Sequence, residues 1–133
     1  MIKIANYING EMIAPQSGAY IDNYEPATGL VYSHCPDSDE TDVQAAVEAA
    51  QAAFEGWANM PITERSKILL RLSQLMEDNL DKLAEAESQD QGKPVWLAQK
   101  GEIPRAVQNI HFFATAIEHF ASEAHPMTDF ALN

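Results

Sequence analysis

Three stretches of this sequence repeat apolar residues at helical spacing, and no other part of the chain is able to cover the faces they create. In the first, Val43, Ala46, Val47, Ala50 and Phe54 recur at intervals of three and four, which places them on one side of a helix. Asp39 with Asp42 three residues on is the expected cap, and Gly56 the expected end. From about Thr63 a longer helix is predicted, with Ile68, Leu69, Leu72, Leu75, Met76, Leu80 and Leu83 on its apolar stripe. Arg65, Lys67, Glu77, Asp78 and Asp81 fall outside that stripe. Gln91-Gly92-Lys93-Pro94 interrupts the pattern, because glycine terminates helices and proline continues them poorly. A short piece from Val95 to Lys100 follows, and Gly101 and Pro104 mark another irregularity. Val107, Ile110, Phe113, Ala114, Ile117 and Phe120 then give a third amphipathic helix, expected to end before Pro126.

The segment before these helices reads as short strands. Ile2, Ile4 and Ile8 share one face of an extended chain, and Asn9-Gly10 supplies the positive φ angles of a tight hairpin turn. Glu11 to Ala14 is the return strand, Tyr20 to Tyr24 is extended, and Pro26-Ala27-Thr28-Gly29 turns the chain into a strand from Leu30 to Cys35. The expected organisation is therefore α+β: strands and turns over 1–36, helices over 37–126, and a tail over 127–133. Strands this few and this polar make no parallel sheet. Three helices with one apolar face each must pack on one another as a small bundle, or cover a sheet supplied by other sequence.

Composition narrows the function. An apolar fraction of 46% argues for a folded chain. A net charge of −12 excludes nucleic acid as an expected partner, since a phosphate backbone demands a basic face. It disfavours anionic membrane surfaces likewise. No stretch reaches the ~20 apolar residues of a membrane span, and Met1 to Ile8 has no apolar run of signal-peptide length. With one cysteine, an internal disulfide is impossible, which fits a reducing compartment. A cytoplasmic domain is the expectation.

Few residues carry chemistry. Cys35 is the one thiol, but its neighbour His34 points to the opposite face of a strand, so a structural role is favoured over a nucleophilic one. His111 and His119 lie eight apart, about 12 Å along a helix, too far to share an ion, and His125 falls beyond the helix. The acidic run Asp37, Asp39, Glu40 and Asp42 lacks the glycine and terminal glutamate of a calcium loop. Carboxylates at a helix N-terminus are favoured by its dipole in any case. Gly92 and Gly101 do not form a dinucleotide fingerprint. Arg105, next to Pro104 and one turn before Asn109, could grip a carboxylate with both guanidinium arms. From the residues alone an ordinary surface arginine is the simpler reading.

Tyr7-Ile8-Asn9-Gly10-Glu11, Glu25-Pro26-Ala27-Thr28-Gly29, Asp42-Val43 through Phe54 and Trp57, Glu64-Arg65 through Leu72, and Glu87-Ser88-Gln89-Asp90-Gln91-Gly92-Lys93-Pro94 occur in this order. Together they resemble the N-terminal part of the NAD(P)-dependent aldehyde dehydrogenase superfamily, over essentially the whole chain. Ile103-Pro104-Arg105-Ala106-Val107-Gln108-Asn109, followed by Phe112-Phe113-Ala114, looks like the branch acting on 2-hydroxymuconic and 2-aminomuconic semialdehydes. The resemblance implies that Arg105, with Asn109, binds the substrate carboxylate, which reverses the simpler reading of that arginine. It also implies a structural alkali cation near Asp90 and the main-chain carbonyls of Asn23 and Tyr24, although Glu25 stands where the pattern has asparagine.

The same resemblance says what is not here. The catalytic cysteine and glutamate, the NAD-binding segments and the parallel sheet of the Rossmann-like coenzyme domain would all follow Asn133. Cys35 does not match the nucleophile. The chain is therefore expected to be the N-terminal fragment of an NAD-dependent dehydrogenase for a carboxylated semialdehyde, inactive and without cofactor when alone. The alternative is a stand-alone helical interaction module, or a remnant without catalysis. Either way the apolar helix faces should drive self-association or binding to the missing remainder.

Overall fold

The computed structural model describes residues 1–121 and, beyond them, two short strand segments, 126–127 and 131–132. Asn9 and Gly10 take φ of 51° and 83° and turn β2 (Asn6–Ile8) into β3 (Glu11–Ile13), as the Asn-Gly pair predicts. β1 (Ile2–Lys3) stands apart from that hairpin and pairs in parallel with β5 (Leu30–Pro36). β5 in turn runs antiparallel to β4 (Tyr20–Glu25), with a register shift between Asn23 and Tyr24. The sheet order is β1-β5-β4. Its parallel pairing covers only two residues a strand, so the described residues contain no parallel sheet for the helices to cover.

The helices follow the expected stripes but not all of the expected ends. α1 (Glu40–Asn59) starts in a reciprocal capping box. Asp39 Oδ1 accepts from the Thr41 and Asp42 amides, and Asp42 Oδ2 accepts from the Asp39 amide. Gly56 does not end it. The helix runs three residues further and stops where Met60, extended at ψ 137°, precedes Pro61, because proline excludes the helical conformation from the residue before it. The single long helix expected from Thr63 is two, α2 (Ile62–Asp78) and α3 (Leu80–Gln91). They are separated by Asn79 at φ −111°, ψ 21°, whose side-chain amide donates to the Leu75 carbonyl at 2.8 Å and closes the preceding turn.

After Gly92 the chain re-enters helix at α4 (Val95–Leu97), widens into a π turn over Ala98–Glu102, and continues as α5 (Ile103–Ala116). The irregularity expected at Gly101 and Pro104 is this π turn. Pro104 has no N–H to give the carbonyl four residues back, and its ring crowds that carbonyl, so a wider turn relieves both. A 3₁₀ turn, Ile117–His119, follows α5. Pro126 itself lies in β6 (Pro126–Met127), paired with β7 (Ala131–Leu132) inside the expected tail.

The helices do pack on each other, but through very small side chains. Among the described residues the fully buried apolar ones are Ala84, Ala98 and Ala114, joined by Ser33, Ser66 and Ser73. α2 lies along α5, and α3 reaches β4 and the π turn. The large residues of the stripes stay exposed: Val43, Val47 and Phe54 on α1, Ile68, Leu72 and Leu75 on α2. Phe113 and Phe120, expected on the inner face of the third helix, are 65% and 84% exposed. Val107, Ile110 and Ile117 are instead partly covered, with Ala114 beneath them.

Candidate functional site

The outward face of α5 carries the clearest arrangement of chemistry. Arg105, Asn109, Phe112 and Ala116 follow at intervals of four, three and four, one strip along the helix. Arg105 and Asn109 are exposed. Beyond them Phe112 and Phe113 meet edge to face, ring centres 5.2 Å apart, and line an apolar groove with Leu69, Ala116, Ile117 and Phe120. Phe112 sits about 10 Å along the axis from Arg105. A planar cation heading an apolar strip suits a ligand with a carboxylate at one end and an unsaturated or aliphatic chain behind it.

The segment leading into α5 is fixed by residues the sequence did not single out for chemistry. Gly92 caps α3 in the left-handed conformation, φ 73°, and its amide donates to the Ser88 carbonyl. A Cβ there would come within 2.7 Å of the Pro26 ring, so the turn between β4 and β5 sits directly on this cap. Lys93, the next residue, accepts at its carbonyl from Ser88 Oγ, and its ammonium lies 2.7 Å from Glu87 and 2.6 Å from Glu102. The two carboxylates, Glu102 foremost, hold the lysine charged above its usual range. No charge pattern along the chain announces this triad, because its members meet across α3 and the π turn.

Asn23 and Asp90 meet through their side chains, together with Tyr32. Asp90 Oδ1 accepts from Tyr32 O–H at 2.6 Å and from Asn23 Nδ2 at 2.9 Å, while Oδ2 accepts from Gln91. These donors, Tyr32 first and Asn23 next, hold the Asp90 carboxyl below the usual range. The same contact pushes the Tyr32 phenol up. The Tyr24 side chain is exposed. With N–H and O–H donors on both oxygens, this carboxylate staples α3 to β4 and β5.

The other candidates separate. Cys35 pairs across the sheet with Ile21, whereas His34 faces Asp22 and its Nδ1 lies 3.0 Å from that carboxylate. The imidazole is thus committed away from the thiol. Asp42 Oδ1 accepts from the Gln16 amide, which accounts for the acidic run as a cap and a tether. His111 lies in α5 and His119 in the 3₁₀ turn, both exposed; His125 lies outside the described residues. Among the described residues no three His, Cys, Asp or Glu side chains gather as a metal site. No helix there is long and apolar enough to cross a membrane.

Comparison with known proteins shows the family and the fold. Residues 12–132 match the profile of the aldehyde dehydrogenase family. The 2-aminomuconic semialdehyde dehydrogenases of Bos taurus and Homo sapiens are 47% and 42% identical to this chain over 96% of its length. The chain spans about a quarter, 26%, of each. The structure of an aldehyde dehydrogenase from Bacillus cereus with NAD+ superimposes with a TM-score of 0.92 at 32% identity, covering 98% of this chain and 27% of that one.

Proposed function

This chain belongs to the aldehyde dehydrogenase family, and we propose that it forms the first quarter of an NAD-dependent dehydrogenase for an aldehyde that also bears a carboxylate. The observation that carries the reading is Arg105, exposed at the head of α5 with Asn109 and the Phe112 strip behind it. In the complete enzyme the guanidinium takes the substrate carboxylate in a two-pronged hydrogen bond, and Asn109 orients the group beside it. The apolar groove holds the carbon chain and excludes water. NAD would accept the hydride. Gly92 ends a helix against Pro26 and Gly101 lies within the π turn, so neither glycine forms a dinucleotide cradle.

The experiment is Arg105→Ala in the complete enzyme, compared on 4-oxobutanoate and butanal. Loss of a two-pronged contact to a charged group should raise KM for the carboxylated substrate by about tenfold or more, with butanal little affected. Equal losses on both substrates would remove the proposed role. By itself the purified chain should reduce no NAD with either aldehyde, because Cys35 has no base facing it. Turnover that disappears in Cys35→Ser would overturn that assignment. The exposed helix faces also favour a second reading, a binding module that works through those faces. An in-frame continuation of the coding sequence into the rest of the enzyme argues for the first reading, a stop codon with a separate neighbouring gene for the second.

A further inference from the structure

Glu102 and Arg105 are three residues apart where the π turn passes into α5, and both Glu102 and Ile103 have helical backbone angles. At that spacing opposite charges on a helix pair with each other, so Glu102 is the natural intrahelical partner of the guanidinium. A paired Arg105 would meet an incoming carboxylate already neutralised. The structure shows a different pairing: Glu102 Oε2 lies 2.6 Å from Lys93 Nζ, and Arg105 has no ion-pair partner among the described residues. We propose that Lys93 is a positioning residue that keeps Glu102 off Arg105, leaving the guanidinium free for the substrate carboxylate.

Lys93 is built for that task. The left-handed Gly92 and the Ser88 hydroxyl fix its backbone, and Glu87 anchors the same ammonium from α3 at 2.7 Å. Its side chain is 21% exposed, against 45% for Glu102, so the less mobile partner sets the geometry. The start of α5 has no side-chain cap of its own, and the Lys93 contact is the tie that holds Glu102 toward α3. This inference rests on the reading of Arg105 as the carboxylate receptor.

The test uses the complete enzyme with 4-oxobutanoate and butanal. Lys93→Met should raise KM for 4-oxobutanoate by about tenfold, as Glu102 turns to Arg105, with kcat and KM for butanal little changed. Adding Glu102→Gln to Lys93→Met should return KM for 4-oxobutanoate close to its starting value. A clamp that only stabilises the fold behaves in the opposite way, since removing its second member restores nothing, and that result overturns the proposal. If Lys93→Met does not fold, Glu102→Gln alone decides: an unchanged or lower KM for 4-oxobutanoate supports it, a raised one overturns it. Arg105→Ala is measured alongside. If that variant selectively loses 4-oxobutanoate while Lys93→Met does not, this inference falls alone. If Arg105→Ala treats both aldehydes alike, the carboxylate reading falls and this inference with it.

Discussion

Asp90 shows how a single residue here gathers distant segments. Its carboxylate is taken by Tyr32 from β5 and Asn23 from β4, and Tyr32 is its strongest support. The sign of the pH effect follows from the direction of that shift. A carboxyl whose folded pKa is lowered contributes stability that is fully present above the ordinary carboxylate range and disappears as pH falls through the folded value. Tyr32→Phe removes the leading donor, so the carboxyl rises toward its usual pKa. Thermal unfolding should then show a loss of about 1–2 kcal/mol at neutral pH. The deficit should begin to shrink below about pH 4, where Asp90 protonates in the unfolded chain, and disappear below its lowered folded value. A deficit that stays constant down to pH 2 would show that the tyrosine acts through packing alone. Neither the Asn23 nor the Tyr32 contact to Asp90 was legible in the sequence, because position along a strand gives no hint of which helix will lie over it.

Among the elements, α1 runs past its expected end at Gly56, and the reason is local. Gly56 has no positive φ, and a Cβ there would meet nothing within 4 Å. It is a helix-interior glycine on an exposed face, tolerated and not required. Gly56→Ala should therefore stabilise the chain by roughly 0.5–1 kcal/mol, read as a raised melting temperature with more helical circular dichroism. No gain, or a loss, would mean that the helix does end at Gly56. Gly92 in the QGKP stretch is the contrasting case, with left-handed φ and the Pro26 ring 2.7 Å from its missing Cβ. The sequence marked both glycines as stops; only the backbone around each separates a terminator from a passenger. The break at Asn79 is similar, since the apolar stripe runs through it uninterrupted from Leu75 and Met76 to Leu80 and Leu83.

The whole molecule is dominated by surface that one chain of this length does not bury. Its tightest helix contacts are made by alanine and serine, while Phe54, Phe112, Phe113 and Phe120 stand more than half exposed. Apolar area on this scale favours a partner surface at roughly 25 cal/mol per Å2. The net charge of −12 opposes a second copy of the same chain. Salt screens that repulsion, so the isolated chain should bind an apolar dye strongly and associate more at 0.5 M than at 0.05 M salt in sedimentation. A monomer that binds no dye at either salt concentration would contradict this view of the helix faces.

What the sequence determined by itself is the local part. The Asn9-Gly10 turn, the Asp39–Asp42 cap and the apolar stripes follow from φ preference, short-range hydrogen bonding and periodicity, all fixed by residues within about one turn of each other. The motif order likewise gave the family and placed Arg105 and Asn109 at the head of a helix. The tertiary structure alone decided which charges meet: Lys93 with Glu102 and Glu87, Asp90 with Tyr32, His34 with Asp22 and away from Cys35. It also decided that Phe113 turns outward while Ala114 goes in. These outcomes depend on how α3, the π turn and α5 are set against one another and on which surfaces the chain leaves uncovered, and neither is written in the spacing of residues along any one element.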